Sequence, residues 1–381
     1  MTMIELANAQ VCSGCSACRA ACPKHAIAMK ADGHGFLHPV IDASLCVQCG
    51  ACARACPVLH PAEPADVRGV FSAKSVADSA RAKSSSGGVF PLLARATLAE
   101  GGVVFGARWT KELAVVHDVA ENDDRLRGFF SSKYLQSDLG DAFTHCRDEL
   151  ARGRQVLFSG TPCQIAGLRR FLGRDFDNLL AVQVICHSAP SPLAWRKYLE
   201  SCARKLGAPV TSAECRDKTH GWKLYEYVLG DGAQRGNWIE NPYSTSFLTD
   251  LVTRSSCAAC AARAFRSGAD LTLGDFWFIW TFSPEMDDDR GTSLVLTHSE
   301  RGQRALDAIR PSLVIKEESY ANAVKFNPAL EKDSPPNPRR DEFFTRLKAG
   351  EDYVELVREL VGEDPLNLRR FIPMLRKESS K

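Results

Sequence analysis

Eight cysteines form two runs of identical spacing within the first 57 residues, and this repeat constrains the fold more than any other feature. Each run follows the pattern C-x2-C-x2-C-x3-C-P and ends in Pro23 or Pro57. The two runs comprise Cys12, Cys15, Cys18 and Cys22, then Cys46, Cys49, Cys52 and Cys56. This spacing is typical of proteins that hold two 4Fe-4S clusters. Zinc, the alternative, favours tetrahedral sites built from ligand pairs, which do not explain a doubled four-cysteine run.

The last cysteine of each run is expected to cross to the other cluster. Three thiolates of a cube come from one tight C-x2-C-x2-C loop, and in bacterial two-cluster ferredoxins the fourth comes from the other run. The crossed assignment therefore gives one cluster to Cys12, Cys15, Cys18 and Cys56, and the other to Cys46, Cys49, Cys52 and Cys22. Two adjacent clusters would conduct single electrons, so this region is predicted to be a conduit.

Composition excludes several classes of protein. The chain has 381 residues and 15 cysteines, which is too long for a small disulfide scaffold. Its formal net charge of +2 gives no reason to expect a nucleic-acid or membrane-surface partner. The first ten residues lack the pattern of a signal peptide, and no apolar stretch approaches the roughly 20 residues of a spanning helix. We therefore expect a soluble cytoplasmic protein without a transmembrane segment.

The predicted fold class combines α+β and α/β, because a ferredoxin-like domain precedes a larger α/β domain with a mixed sheet. A hairpin is expected around Asp32 and Gly33. Alternating apolar strands and helices begin near residue 69, with a βαβα unit over residues 154–207 and shorter connections afterwards. The predicted boundaries are a two-cluster domain over 1–60, a Pro-rich linker over 61–68, the larger domain over 69–330, and a C-terminal helical tail over 331–381. The tail is expected to be an appendage or a surface helix.

Several short motifs in the larger domain resemble one known family. They are SSSGGVF (84–90), SSKYLQS (131–137), FSGTPCQIAGL (158–168), ICHSAPSPLAW (185–195), RDKTHGW (216–222) and CAACAARAFRSGADLTLGDFW (257–277). In this order, behind a two-cluster module, they resemble the coenzyme F-420 hydrogenase/dehydrogenase beta-subunit family. The resemblance extends to about residue 315 and is greatest with the bacterial branch often found with exopolysaccharide genes.

The resemblance implies a third 4Fe-4S cluster in the larger domain. The family motif matches Cys163, Cys186, Cys257 and Cys260. Cys163 and Cys186 lie at or just after the carboxyl ends of predicted parallel strands, where α/β sheets place their ligands. The alternative is that these two are small buried core residues, as free cysteines often are.

The resemblance also implies bound FAD, which makes the larger domain a flavin-binding domain. Helix-start amides could hold a pyrophosphate, and no G-x-G-x-x-G fingerprint suggests a standard dinucleotide fold. The predicted flavin-binding residues are Ser85, Ser86, Gly87, Gly88, Ser132, Lys133, Tyr134, Gly160, Thr161, Gly274 and Asp275. Each has a capping or solvent-facing role as its alternative.

Two residues depart from the family pattern. Ser188 and Phe278 occupy positions where relatives commonly have glycine. Added bulk is expected to narrow the space at these positions and to change the substrate pocket.

The predicted function is an iron-sulfur flavoprotein oxidoreductase that passes single electrons from ferredoxin, or another redox protein, through clusters to FAD and a small organic substrate. Candidate proton donors at the flavin are His187, Lys218 and His220. One alternative is a subunit that reduces or oxidises deazaflavin, coenzyme F-420, in a larger redox complex. Another is a non-catalytic electron-transfer adaptor.

Overall fold

Three β-sheets organise the part of the chain that the structure, a computed structural model, describes: residues 5–372 and Leu375. The first is the predicted hairpin, in which β1 (Ile27–Ala31) pairs antiparallel with β2 (Leu37–Ile41). The Asp32 carboxylate closes its turn by accepting hydrogen bonds from the amides of His34 and Phe36. One short helix lies in each cysteine run, α1 (Ala17–Ala20) and α2 (Ala51–Arg54).

An eight-stranded mixed sheet forms the centre of the larger domain, as the sequence predicts. Its order is β13-β3-β12-β11-β7-β6-β4-β5. Strands β11, β7, β6 and β4 run parallel, and the strands that flank them pair antiparallel. The bounds are β3 Gly69–Ser75, β4 Val103–Trp109, β5 Val115–Ala120, β6 Val156–Gly160, β7 Leu179–Val184, β11 Leu271–Asp275, β12 Ser293–Thr297 and β13 Leu313–Glu317.

Helices cover this sheet and begin at the signals that the sequence contains. Thr161 forms a capping box with Gln164 at the start of α7, and Ser191 accepts a hydrogen bond from the Ala194 amide at the start of α8. Pro162 and Pro192 occupy their first positions. The helices of this domain are α3 Asp78–Ala82, α4 Val89–Ala99, α5 Asp123–Leu126, α6 Ala142–Ala151, α7 Pro162–Leu172, α8 Pro192–Leu206, α9 Pro242–Leu248, α10 Glu300–Ile309 and α11 Tyr320–Phe326.

A third, smaller sheet lies beside the C-terminal helices. Its antiparallel strands are β8 (Ala213–Asp217), β9 (Glu226–Leu229) and β10 (Gln234–Asn237), in the order β10-β9-β8. Helices α12 (Arg340–Lys348) and α13 (Tyr353–Val361) pack in the same hydrophobic core as α8 and α9. Among the described residues, no helix is both long and apolar enough to cross a bilayer.

The expectation that the tail is an appendage or surface helix is wrong for α13. Tyr353, Leu356, Val357 and Leu360 are buried in the core shared with α8 and α9. These residues recur at the i, i+3, i+4, i+7 spacing of one helix face, which is the pattern of a helix packed on a core. The apolar face was visible in the sequence, but its partner was not.

The segment predicted as a linker is held along the larger domain. The Ala65 amide donates to the Phe265 carbonyl at 3.0 Å, and the Arg68 amide donates to the Thr297 carbonyl at 2.9 Å. His298 Nδ1 lies 3.1 Å from the Asp66 carbonyl oxygen. The linker therefore fixes the two-cluster module to the larger domain, while the predicted boundaries at 60 and 330 stay predictions.

Because Leu356 is 1% exposed, Leu356→Ala is expected to lower the free energy of unfolding by about 2–5 kcal/mol. The neighbouring exposed substitution Glu355→Ala should change it by less than about 0.5 kcal/mol. Chemical denaturation followed by circular dichroism measures both. Equal stability of the two variants would show that α13 is not part of the core.

Candidate iron-sulfur sites

Four cysteines from both runs line one cavity in the N-terminal module. Cys12, Cys15 and Cys18 of the first run meet Cys56 of the second around about 340 Å³ of empty space. Burial raises the pKa of the Cys15 thiol to about 12, and the neighbouring thiols Cys163 and Cys12 add to this. Four thiols so buried would be ionised only with a positive group among them, which an iron-sulfur cluster supplies.

The other four cysteines line a second cavity of nearly the same size. Cys22 of the first run meets Cys46, Cys49 and Cys52 around about 320 Å³ of empty space. The structure thus brings together the same two sets of four that the crossed assignment predicts. Two cavities of similar size and identical donor set fit two like clusters, and ligation by these residues stays a prediction.

The arrangement of these donors differs from that of a single-ion site. Within the described residues, no group of three or more His, Cys, Asp or Glu side chains converges on one ion. The four thiolates of a cube bind four different irons and therefore stand farther apart than the ligands of one zinc ion. This spacing favours clusters over zinc.

The larger domain brings together the four cysteines that the family resemblance assigns to a third cluster. Cys163 lies in the first turn of α7, Cys186 follows β7, and Cys257 and Cys260 border a short 3-10 helix, Ser255–Ala259. Each thiol lies close enough to others of the group to raise their pKa values. Burial is the larger cause, and it raises the pKa of Cys163 to about 11 and that of Cys257 to about 12.

Hydrogen bonds orient these thiols. The Ala189 amide donates to Cys257 Sγ at 3.3 Å, and Thr161 Oγ1 lies 3.3 Å from Cys163 Sγ. Arg263 Nη1 donates to the Cys186 carbonyl at 2.6 Å and thereby holds the loop after β7. All four cysteines are free thiols rather than disulfides. Four buried, oriented and unpaired thiols are a donor set that fits a 4Fe-4S cluster.

The third group lies next to the first N-terminal site. The Cys163 thiol is near enough to Cys15 to raise its pKa. Helix α7 carries Cys163 in its first turn and Gly167 one turn later, and a Cβ on Gly167 would lie 2.9 Å from Cys15 Sγ. Glycine at this position therefore permits the helix to touch the first cysteine loop. The other three cysteines, Cys146, Cys202 and Cys215, are buried in hydrophobic core clusters.

Four predicted flavin residues converge on a buried arginine that sequence reasoning did not single out. Arg216 Nη1 donates to Tyr134 Oη at 3.1 Å, and Nη2 donates to Asp275 Oδ1 and to the Ser85 carbonyl, both at 2.8 Å. Ser85 Oγ in turn lies 2.8 Å from Ser132 Oγ. Arg216 begins the RDKTHGW motif, which was the signal that could have identified it. We call Arg216, Ser85, Ser132, Tyr134 and Asp275 the Arg216 cluster.

The predicted phosphate cradle does not have free amides or open space at its glycines. The Gly87 amide donates to Ser293 Oγ at 3.0 Å, and a Cβ there would lie 2.2 Å from the Ala73 carbonyl oxygen. Ser86 Oγ donates to the Thr292 carbonyl, and a Cβ on Gly274 would lie 2.4 Å from the Ile185 side chain. Close packing against neighbouring strands explains these residues, so the cradle assignment of Gly87 is not supported. Gly88 has a φ of +86°, which glycine adopts readily at a helix start.

The remaining predicted flavin residues have local roles. Lys133 Nζ is buried and donates to the Phe130 carbonyl at 2.7 Å, and burial lowers its pKa to about 8. Thr161, next to Gly160, caps α7 and contacts Cys163, so it belongs to the third cysteine group.

The three candidate proton donors are not brought together. Lys218 Nζ donates to the carbonyls of Arg81, Ser86 and Arg290 at 2.8–3.0 Å, so its three protons are already used. His220 is exposed and pairs with Glu226 at 2.7 Å. Both proposed catalytic roles are therefore unsupported, because one group is saturated by the backbone and the other faces solvent.

His187 lies beside the third cysteine group. Its Nε2 is 3.1 Å from Asp250 Oδ1, although the two atoms do not align as a hydrogen bond. Its carbonyl accepts a hydrogen bond from Arg263 Nη2 at 3.1 Å. His187 is therefore placed to act near a cluster.

The two family departures have different outcomes. Ser188 is buried, and within the described chain its hydroxyl oxygen has no hydrogen-bond partner. Phe278 has a φ of +60° and is 39% exposed, with its ring stacked on Phe326. The expectation that its bulk narrows an interior space is therefore wrong, because the ring points to the surface.

Comparison with known families supports this organisation. Residues 153–323 match the family model for the C terminus of the coenzyme F420 hydrogenase/dehydrogenase beta subunit. Residues 11–59 match the model of a 4Fe-4S dicluster domain.

Among solved structures, the chain is similar to a chain of the F420-reducing [NiFe] hydrogenase complex from Methanosarcina barkeri, studied by xenon derivatization. The identity is 15%, the match covers 82% of this chain and 94% of that chain, and the TM-score is 0.47. The comparison with curated proteins gave no match.

If Cys163, Cys186, Cys257 and Cys260 hold a cluster, the full chain should contain about twelve irons after anaerobic reconstitution. The double variant Cys257→Ser, Cys260→Ser should then contain about eight irons and keep both N-terminal signals in electron paramagnetic resonance. Cys202→Ser, which lies in the core away from all three groups, is the control and should leave the iron content unchanged. A wild-type protein with only about eight irons would make the third group structural.

Proposed function

The chain belongs to the coenzyme F420 hydrogenase/dehydrogenase beta-subunit family and carries a 4Fe-4S dicluster domain, and we propose that it conducts single electrons along three clusters to a redox partner. The observation that carries this proposal is the contact between the first N-terminal cysteine loop and α7. Gly167 would meet Cys15 Sγ if it had a Cβ, and Cys163 lies one turn earlier. Two cluster sites on different domains thus become neighbours.

The connectivity gives an order to the three sites. The second N-terminal site includes Cys49, which is exposed, and it is joined to the first site by the crossed cysteines Cys22 and Cys56. The first site adjoins the third group through Cys15 and Cys163. Electrons entering at the module would therefore reach the larger domain in single-electron steps. With fifteen free thiols in the chain, we place the protein in a reducing, cytoplasmic compartment.

A basic groove beside the first site identifies where an electron donor could bind. The groove has about 920 Å³ of open space and is lined by His60, Arg169, Arg170, Arg174, Arg266 and Arg301, with the acids Asp175 and Asp270. Pro57, which follows Cys56, and Ala166, which precedes Gly167, also line it.

The groove retains positive charge after internal pairing. Asp175 pairs with Arg169 and Arg301, and Asp270 also pairs with both. Arg170 and Arg266 donate only weakly, to carbonyls at 3.4 and 3.3 Å, and Arg174 stacks on Phe176. We therefore propose an acidic donor of the ferredoxin type, since charge complementarity accelerates and orients association.

Arg170→Glu with Arg174→Glu should lower the second-order rate of reduction by an acidic ferredoxin at least about tenfold at low salt. The loss should shrink at high ionic strength, because screening weakens the steering. Lys111→Glu with Lys205→Glu makes the same change in net charge elsewhere and is the matched control. Stopped-flow absorbance measures the rates, and equal rates for both double variants would contradict docking in this groove.

FAD and a small organic substrate are the finer form of the proposal, and the Arg216 cluster is what supports it. Arg216 is 3% exposed, and within the described chain its Nε has no hydrogen-bond partner. Its guanidinium lies over the Tyr225 ring at 3.9 Å. A bound flavin would supply the conversion between one-electron and two-electron chemistry.

Arg216→Met should abolish flavin retention while leaving the iron content at about twelve, because the clusters lie elsewhere. Flavin released from the anaerobically purified protein, quantified by fluorescence, measures this. Arg108→Met, which removes a surface arginine paired with Asp118, is the control. Purified protein without flavin would favour the adaptor alternative, and a change in deazaflavin absorbance on mixing would favour coenzyme F420 as the two-electron partner.

A further inference from the structure

Arg254 is a buried cation at the junction of the two domains. It is 2% exposed and lies three residues before Cys257. Its amide donates to the Ala189 carbonyl at 2.9 Å, which fixes its backbone beside the loop that follows Cys186. Its side chain reaches in the opposite direction, into the N-terminal module.

The hydrogen bonds of the guanidinium all go to neutral groups. Nε donates to the Cys12 carbonyl at 2.7 Å, Nη1 donates to Gln136 Oε1 at 3.0 Å, and Nη2 donates to the Leu37 carbonyl at 2.9 Å. Nη2 also lies 3.2 Å from His38 Nδ1. No carboxylate among residues 5–372 forms an ion pair with it, and a buried charge without a counter-charge is costly.

The positive charge reaches both cysteine groups. It lowers the pKa values of the Cys163 and Cys257 thiols in the third group, against the larger opposite effect of burial. In the first N-terminal run it bonds to Cys12, and a Cβ on Gly14 would lie 2.8 Å from Nη1. Arg254 therefore stands between two sets of four thiols.

We propose that Arg254 is the shared counter-charge of the first N-terminal cluster and the third cluster, and that it raises the reduction potential of both. This proposal rests on the proposed function, because it requires clusters at both sites. A cluster with four thiolates gains one negative charge on reduction, and a nearby cation in a dry interior stabilises the reduced form.

One residue thereby does two things for electron transfer. It ties the module to the larger domain through the Cys12 and Leu37 carbonyls, and it shifts the potentials of two neighbouring clusters in the same direction. The electron leaves one reduced cluster and reduces the next, so keeping the two potentials aligned keeps this step reversible.

Arg263 provides the matched comparison. It is also buried and lies against the third group, where Nη1 donates to the Cys186 carbonyl. However, its Nε pairs with Asp333 at 3.2 Å. Its charge is thus partly compensated, and its contacts are with the third group rather than with the module.

The test is a potentiometric titration of the full chain, monitored by electron paramagnetic resonance, with the iron content measured on the same samples. Arg254→Gln should lower the potentials of the first N-terminal cluster and the third cluster, each by about 59 mV, a tenfold change in the ratio of oxidised to reduced forms. The cluster of Cys22, Cys46, Cys49 and Cys52 should not shift. Arg263→Gln should shift the third cluster alone.

A second variant covers the case in which Arg254→Gln loses iron. Gln136→Glu places a carboxylate beside Nη1 while Arg254 remains, so it should lower the same two potentials. Gln136→Leu removes the amide without adding charge and should shift neither. A shift at only one of the two clusters, or at neither, overturns the shared counter-charge. A wild-type protein with about eight irons overturns the proposed function itself, and the iron count shows which of the two has failed.

Discussion

The contact between the first cysteine loop and helix α7 is the interaction on which the rest of the structure depends. Cys15 packs against Gly167, where a side chain would collide with its sulfur. Because Cys163 starts the same helix, this single contact sets the distance between a cysteine group in the module and one in the larger domain. The linker along Phe265 and Thr297 then holds the module in place. A separate, freely moving ferredoxin module would not preserve that distance.

The mixed sheet explains why the third group assembles where it does. Strands β6 and β7 are parallel neighbours, so their carboxyl ends lie at one edge of the sheet, and the segments that follow carry Cys163 and Cys186 to the same place. The loop with Cys257 and Cys260 precedes β11, the parallel neighbour of β7 on its other side. Three separate parts of the sequence therefore meet at one end of three adjacent strands.

The Arg216 cluster and the glycines near residue 87 show how a family motif divides into different physical roles. Ser85 contributes a carbonyl to Arg216, whereas Gly87, two residues later, packs against the backbone of β3. A sequence motif records that residues are needed but not for which contact. The buried arginine, rather than the glycine-rich turn, is the polar centre around which the predicted flavin residues gather.

The sequence by itself determined the two cysteine runs and their crossed grouping, the strands and helices around residues 154–207, and the four cysteines of the third group through a family resemblance. It could do so because ligand spacing and hydrophobic periodicity are local properties. Only the tertiary structure decided that α13 is buried, that Lys218 is saturated by three carbonyls, and that Arg254 lies between two cysteine groups. Each of these depends on residues far apart in the chain, such as Arg254 and Cys12, and no local pattern specifies which distant backbone oxygen an arginine will meet.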